Sequence, residues 1–288
     1  MSDDPLPIQQ EKLLHAPSYR LADQDADFLS GSRTRAVRLE LELLKTELGF
    51  EDQAVRSTIV VFGSTRIVEA AAAEANLERT KARLADTPND QRRQRAVARA
   101  ERLSAKSRFY DMARQFARLV SRQCQQDGEK EYVIVTGGGP GIMEAANRGA
   151  SEVQAKSAGL NILLPQEQMP NPYITPELCF QFRYFAMRKF HFLLRARALV
   201  VFPGGYGTLD ELFDALALRQ TKRMQDIPII LFDRQYWSQA INFQFLADEG
   251  AIDDDDLDLF RYADTAEQAW DMIQRFHKRY GTDERKDY

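Results

Sequence analysis

Cysteine and histidine are scarce in this 288-residue chain: two cysteines, Cys124 and Cys179, and three scattered histidines, His15, His191 and His277. Two thiols cannot build a disulfide framework or a cysteine-based zinc site, and histidines so far apart argue against a histidine-rich metal centre. Long apolar runs are missing too. The longest, Ala198–Phe202 and Ile227–Phe232, are strand-sized, far short of the roughly 18 residues of a membrane span. The opening Met-Ser-Asp-Asp-Pro has neither the basic start nor the apolar stretch of a signal peptide. Nor does one sign of charge dominate, since 39 Lys and Arg stand against 43 Asp and Glu for a formal net charge of -4. That balance argues against bulk nucleic-acid binding and leaves only a local basic patch as a route to it. A cytoplasmic protein with no membrane anchor is the expectation.

What is present is ordinary: 44% hydrophobic and 28% charged residues, close to the averages for globular proteins. A chain of this length buries enough surface to need no covalent or metal staple.

Residues 1–56 read as an N-terminal helical appendage. Pro5, Pro7 and Pro17 break its first part, and Val37, Leu41, Leu44 and Leu48 then recur at helical spacing over Thr34–Leu48. That spacing predicts a helix lying on the main body through its apolar side. From residue 57 to 280 the pattern changes to short β-rich runs: Ile59–Phe62, Tyr132–Val135, Leu160–Leu164, Ala198–Phe202 and Ile229–Phe232, with Cys179–Tyr184 and Leu259–Tyr262 as further candidates. Continuous apolar runs alternating with helical stretches suit strands buried on both faces of a parallel sheet. The predicted fold class is therefore α/β, a doubly wound parallel sheet flanked by helices.

The connection after the first run is long. Ala70–Ala85 and Gln91–Gln126 are rich in strong helix formers, and Thr87-Pro88-Asn89-Asp90 reads as a turn between them. A helical insertion over about residues 66–107 follows, feeding a crossover helix that buries Phe109, Met112, Phe116 and Leu119. Arg92, Arg93, Arg95 and Arg99 make this insertion basic, which reads most simply as a solvated face or a subunit contact. Thr265–Tyr280 carries an amphipathic pattern, and residues 281–288 form a polar tail. The run Asp253–Asp256 reads as a solvated loop or helix start, since consecutive carboxylates diverge and the spacing is not that of a calcium loop.

Two glycine-rich segments each follow a strand and open a helix. In Thr136-Gly137-Gly138-Gly139-Pro140-Gly141-Ile142-Met143-Glu144 the spacing is neither the dinucleotide fingerprint nor a P-loop. In Pro203-Gly204-Gly205-Tyr206-Gly207-Thr208-Leu209-Asp210-Glu211, Thr208 can cap the helix or donate to a phosphate oxygen, and Glu211 falls in the first turn. A helix starting at such a loop offers unpaired amides and a positive dipole end, which suit phosphate. Two loops of this kind in one sheet predict a nucleotide or phosphosugar site; a role for Asp210 and Glu211 limited to complementing the dipole is the simpler alternative. Arg183-Tyr184-Phe185-Ala186-Met187-Arg188-Lys189 supplies cations that either serve that site or line an exposed helix side.

Together, Gly137–Glu144, Arg188-Lys189 and Pro203–Glu211 resemble the LOG (Lonely Guy) family of phosphoribohydrolases, whose signature pairs an Arg-Lys step with P-G-G-x-G-T-x-x-E. Pro203, Gly204, Gly205, Gly207, Thr208 and Glu211 match each fixed position. The resemblance implies a Rossmann-like fold and hydrolysis of the N-glycosidic bond of nucleoside 5′-monophosphates, AMP or cytokinin ribotides, to free base and ribose 5-phosphate. It implies catalytic roles for Glu211 and Arg188, and phosphate binding by Gly204, Gly205, Gly207 and Thr208. Ribose or base contacts are implied for Glu144, Gly138, Gly139, Gly63, Ser64, Met187 and Lys189. Phe185-Ala186-Met187 and the long insertion resemble the larger bacterial members rather than the short plant type. The implied scheme needs no metal and no cofactor. Members are often described as lysine decarboxylases, which would require a pyridoxal phosphate lysine; Lys189 stands in the obvious place, with no supporting motif. A homo-oligomer is implied. The alternative is a non-catalytic carrier of a nucleotide or of molybdenum cofactor on the same fold.

Overall fold

A computed structural model describes residues 8–125, 130–165 and 169–280. The polar tail read at 281–288 lies outside the described residues. The chain divides into two compact units, with the boundary between Glu47 and Leu48.

The smaller unit holds helices α1 (Ile8–Leu14) and α2 (Ala26–Ser30) and most of α3 (Arg35–Asp52). Asp25 caps α2 by accepting from the Phe28 amide, and the Thr34 hydroxyl contacts the carbonyls that α2 leaves open. The predicted helix is present, but its apolar stripe is not buried: Val37, Leu41, Leu44 and Leu48 are all exposed. Helical periodicity reports that a stripe exists, not what covers it.

The larger unit begins with the last turn of α3, which puts Phe50 into a hydrophobic core. It continues through β1 (Thr58–Phe62), α4 (Ala70–Ala85), α5 (Gln91–Ala105), α6 (Arg108–Cys124), β2 (Val133–Thr136) and α7 (Ile142–Ser151). Next come β3 (Ser157–Ile162), β4 (Cys179–Phe182), α8 (Phe185–Leu194), β5 (Ala196–Val201) and α9 (Tyr206–Gln220). It closes with β6 (Ile229–Phe232), α10 (Arg234–Ala240), α11 (Phe243–Asp248), β7 (Phe260–Ala263) and α12 (Ala266–Tyr280). The seven strands form one sheet in the order β4-β3-β2-β1-β5-β6-β7, and every pairing is parallel. This is the expected Rossmann-like doubly wound α/β fold.

Strand alternation sends successive side chains to opposite faces, and two cores result. Val60, Phe62, Val133, Leu199 and Val201 share one face with Leu212, Leu216 and Trp237. Ile59, Val61, Ile134, Val200 and Phe202 share the other with Phe116, Ala146 and Ile273. Both faces are covered, which is why the strands read as unbroken apolar runs. Leu160–Leu164 was expected as one strand; β3 instead starts at Ser157 and ends at Ile162, leaving Leu163 and Leu164 exposed beyond the sheet. Small residues pair there, Ser157 with Ile134 and Ala158 with Val135, so the pairing partner rather than local hydrophobicity sets the strand's start.

The long connection folds as expected into a helical hairpin, α4 and α5, followed by the crossover helix α6. Asp90 ends the predicted turn and caps α5 by accepting from the Arg92 and Arg93 amides. Phe109 and Phe116 are buried on α6. The acidic run begins a short 3-10 turn at Asp254–Asp258, closed by reciprocal caps between Asp253 and Asp256. Among the described residues no group of three or more His, Cys, Asp or Glu side chains is placed to hold a metal, and no helix is long and apolar enough to cross a membrane.

Candidate functional site

β1 and β5 are hydrogen-bonded neighbours, yet β1 leads to β2 on one side and β5 leads to β6 on the other. The loops leaving their carboxyl ends therefore diverge and open a crevice, the usual ligand position in open α/β sheets. A cavity of about 800 Å³ lies there. Gly63, Ser64, Gly204, Gly205, Gly207, Thr208, Arg188 and Glu211 all line it.

Ser64 ties the two glycine loops together through its backbone. Its amide donates to the Pro203 carbonyl at 3.0 Å, and its carbonyl accepts from the Ile142 amide at 3.2 Å. In the β5–α9 loop, helix bonding starts with Leu209, whose amide donates to the Gly205 carbonyl at 3.0 Å. The amides of Tyr206, Gly207 and Thr208 precede that bond and have no intrahelical acceptor. Gly205 supplies no side-chain cap, so the positive end of a 15-residue helix opens onto the cavity. Gly204 must be glycine, because a β-carbon there would run into Thr208. The Tyr236 hydroxyl, from α10, donates to the Gly204 carbonyl and pins the loop from behind.

Arg188 and Glu211 meet across the cavity floor. Arg188 rises from α8, donates from Nε to the Leu160 carbonyl at 2.8 Å and lies 5.0 Å over the Phe192 ring. Its guanidinium passes so close to Gly137 that a β-carbon there would displace it. Burial lowers its pKa, opposed by the nearby Glu211 and Asp210 carboxylates; a guanidinium stays charged regardless. Glu211 is only 7% exposed, and its Oε1 sits 3.8 Å from Arg188 Nη1. That is an ion pair without a close hydrogen bond. Burial pushes its pKa up to about 7, and the attraction of Arg188 and Lys189 recovers only part of the loss. A carboxyl poised between its two protonation states at neutral pH is equipped for proton transfer.

Five residues singled out in the sequence stand outside the cavity lining. Glu144 turns toward α6, where the Tyr110 hydroxyl donates to it at 3.0 Å; burial there pushes the Tyr110 phenol up to about 12. Gly138 and Gly139 give their carbonyls to Asn171 Nδ2, and the Gly138 amide donates to Thr136 Oγ1. Met187 packs against the core, since adjacent helical residues point about 100° apart. Lys189 bridges Asp210 at 2.8 Å and Asp214 at 2.6 Å along a shallow groove beside α8 and α9.

The cavity also holds residues that sequence reading missed: Asn161, Tyr236, Arg66, Arg102 and Lys106. Asn161 had a signal, a polar residue inside the apolar run of β3. Tyr236 and the insertion cations had none, because only the fold carries them to this edge.

The family model described as "possible lysine decarboxylase" matches residues 143–273. Among solved structures, TM1055 is 21% identical, covering 76% of this chain and 99% of its own, with a TM-score of 0.46. The molybdenum cofactor binding protein of the phototrophic bacterium Rippkaea orientalis is 19% identical, covering 58% and 87%, with a TM-score of 0.42. The Moco carrier protein of Chlamydomonas reinhardtii is 17% identical, covering 78% and 99%, with a TM-score of 0.44. Likeness this distant says nothing of chemistry. No curated protein matches the chain.

The family description implies pyridoxal phosphate, held as a Schiff base on a lysine that must lose its proton to attack. Lys189 does not fit that task. Burial works to lower its pKa, but the hydrogen bonds it donates to Asp210 and Asp214 outweigh burial and raise it. Its amine also lies in the outer groove rather than in the cavity. Lys106 does line the cavity but sits on the insertion, outside the matched segment. The Arg188-Lys189 step, the Pro203–Glu211 loop and the family match fall in one stretch of chain, residues 143–273, which is consistent with the resemblance to the LOG family.

Proposed function

We propose that the cavity is the active site of a hydrolase that cleaves the N-glycosidic bond of nucleoside 5′-monophosphates, releasing a free base and ribose 5-phosphate. One observation carries this reading. Glu211 is a buried carboxylate, raised to about 7, placed beside the open N-terminus of α9. A site that only held a phosphate would gain nothing from a neighbouring carboxylate, which repels it. Burying that charge also costs stability, a cost expected where chemistry requires it.

Cleavage breaks the bond between the anomeric carbon and the base nitrogen and builds positive charge on the sugar. Glu211 stabilises that charge and takes a proton from the attacking water, whose oxygen bonds to the anomeric carbon; the departing base takes up a proton in turn. The amides of Tyr206, Gly207 and Thr208 hold the 5′-phosphate, so binding energy far from the reacting bond positions the sugar. Arg188, with Nε already committed to Leu160, offers its remaining donors to the phosphate or the leaving base. Ile162, Leu164, Phe185 and Met143 give the cavity an apolar wall suited to a base.

Incubating the purified protein with AMP, GMP, CMP and isopentenyladenosine monophosphate, then separating free base by chromatography, tests the reading. Release of base from at least one of them is expected. Binding without release from any would overturn it in favour of a carrier. Assembly through helices flanking the site is also proposed, and sedimentation equilibrium checks it.

A further inference from the structure

The cavity has a cationic side that nucleotide hydrolysis as outlined does not use. Arg66 follows the loop leaving β1, while Arg99, Arg102 and Lys106 come from α5 and its C-cap; all four line the cavity. Steps of three and four residues place the last three on one helix face. Among the described residues none of the four pairs with a carboxylate, whereas Arg114 and Arg148 on neighbouring helices both do. The two carboxylates in the cavity lining are already engaged, Asp210 by Lys189 at 2.8 Å and Glu211 beside Arg188 at 3.8 Å. The cationic side is therefore uncompensated.

A helix dipole accounts for cations at the end of α5; it accounts for neither Arg66 nor Arg99. Like charges three and four residues apart repel on a helix, so the arrangement opposes local stability, as functional surfaces often do. A cleft wall of one sign also concentrates field on whatever enters. The open end of α9 already provides for one phosphate. At about 800 Å³ the cavity lies in the upper part of the range for small-molecule sites and has room for more.

We propose that Arg66, Arg99, Arg102 and Lys106 form a second phosphate subsite, so that the cavity takes a nucleotide bearing two phosphate groups. One sits at the N-terminus of α9 and the other between the insertion and the β1 loop. Guanidinium forks match phosphate oxygens two at a time. The inference rests on reading the cavity as a nucleotide site. The second phosphate belongs either to a 5′-diphosphate chain or to the ribose 3′-hydroxyl, and the recognising chemistry is the same for both.

Calorimetric titration of the full chain with AMP, ADP and adenosine 3′,5′-bisphosphate at one ionic strength tests this. At least one of the two-phosphate ligands is expected to bind tenfold or more tightly than AMP, and which one does so identifies where the second phosphate sits. In Arg99→Gln/Arg102→Gln that preference falls below threefold, and Arg66→Gln reduces it independently. Circular dichroism checks folding, which these exposed side chains do not control. No preference in the wild type overturns the subsite, as does a preference that survives both variants. Salt-sensitive binding of single-stranded RNA that the same variants abolish, with no preference among nucleotides, overturns it in favour of a nucleic-acid surface. Base release from AMP is followed in parallel. Release without preference sinks only the second subsite; preference without release from any nucleotide sinks only the hydrolase.

Discussion

The two glycine loops look alike in the chain and serve opposite ends in the molecule. The β2–α7 loop is filled from within. Asn147, fully buried, accepts from Thr136 Oγ1 at 2.7 Å and from Asn171 Nδ2 at 3.0 Å, and donates to Ser157 at 3.0 Å. Asn171 in turn donates to the carbonyls of Gly138 and Gly139. The Gly138 amide and the carbonyls of Gly138 and Gly139 are thereby taken. Among the described residues the β5–α9 loop shows no such internal network; its residues line the cavity and its support comes through Tyr236. A strand-glycine-helix pattern thus states that the backbone turns sharply, while the side chains around it decide whether the turn is scaffold or site.

Substitutions sharpen that contrast. The largest effect is expected at Glu211: Glu211→Gln lowers kcat for base release at least about a hundredfold, the low end of general acid–base contributions, with nucleotide binding retained. Full turnover in this variant would remove Glu211 from the chemistry. In the wild type kcat/KM for base release is expected to climb with pH through about 7, because the proposed mechanism uses the ionised carboxylate.

The same side chain links activity to stability. Its carboxyl titrates near 4.5 when unfolded and about 7 when folded, so the folded state holds a proton that the unfolded state releases between those values. Stability therefore falls as pH rises through that window, by up to about 3 kcal/mol at roughly 1.4 kcal/mol per unit. Denaturant midpoints at pH 5 and pH 8 should reveal the fall in the wild type and lose it in Glu211→Gln.

The first loop should respond the other way. Asn147→Ala strands several buried polar groups and is expected to destabilise by about 2 to 3 kcal/mol, while KM of the remaining folded protein stays within twofold. A large change in KM without loss of stability would mean that this loop, too, meets the ligand. Thr208→Val, in the second loop, is expected to raise KM about tenfold, the value of a hydrogen bond to a charged group, with less than about 1 kcal/mol change in stability. The smallest effect belongs to Lys189. Its attraction lowers the Glu211 pKa, so Lys189→Met should move the midpoint of the pH–rate profile upward by a few tenths of a unit and leave the plateau intact.

Much of the fold was readable because a sheet buried on both faces demands apolar runs, and the helices between them need an apolar stripe. Pairing partners were not readable, which is why β3 began at Ser157 instead of Leu160. At the cavity, Thr208 was accessible because it lies in the first turn of α9, where spacing dictates direction; Glu211, expected in that same turn, falls in the second because α9 already starts at Tyr206. Glu144 does lie in the first turn of its own helix, yet Tyr110, 34 residues away in the chain, claims it. Arg99 reads locally as part of a charged face, and nothing local says that α5 reaches the cavity.

Local chemistry in the chain was enough to specify parallel strands, their glycine exits and the acid beside the second exit. Periodicity, turn propensity and helix-end polarity act over a few residues and leave their mark in order. Whether a loop is filled or open, which cations reach the cavity and how far Glu211 is dehydrated were settled only on folding. Those properties depend on contacts between segments far apart in the chain, and dehydration in particular belongs to the whole surrounding volume rather than to any residue in it.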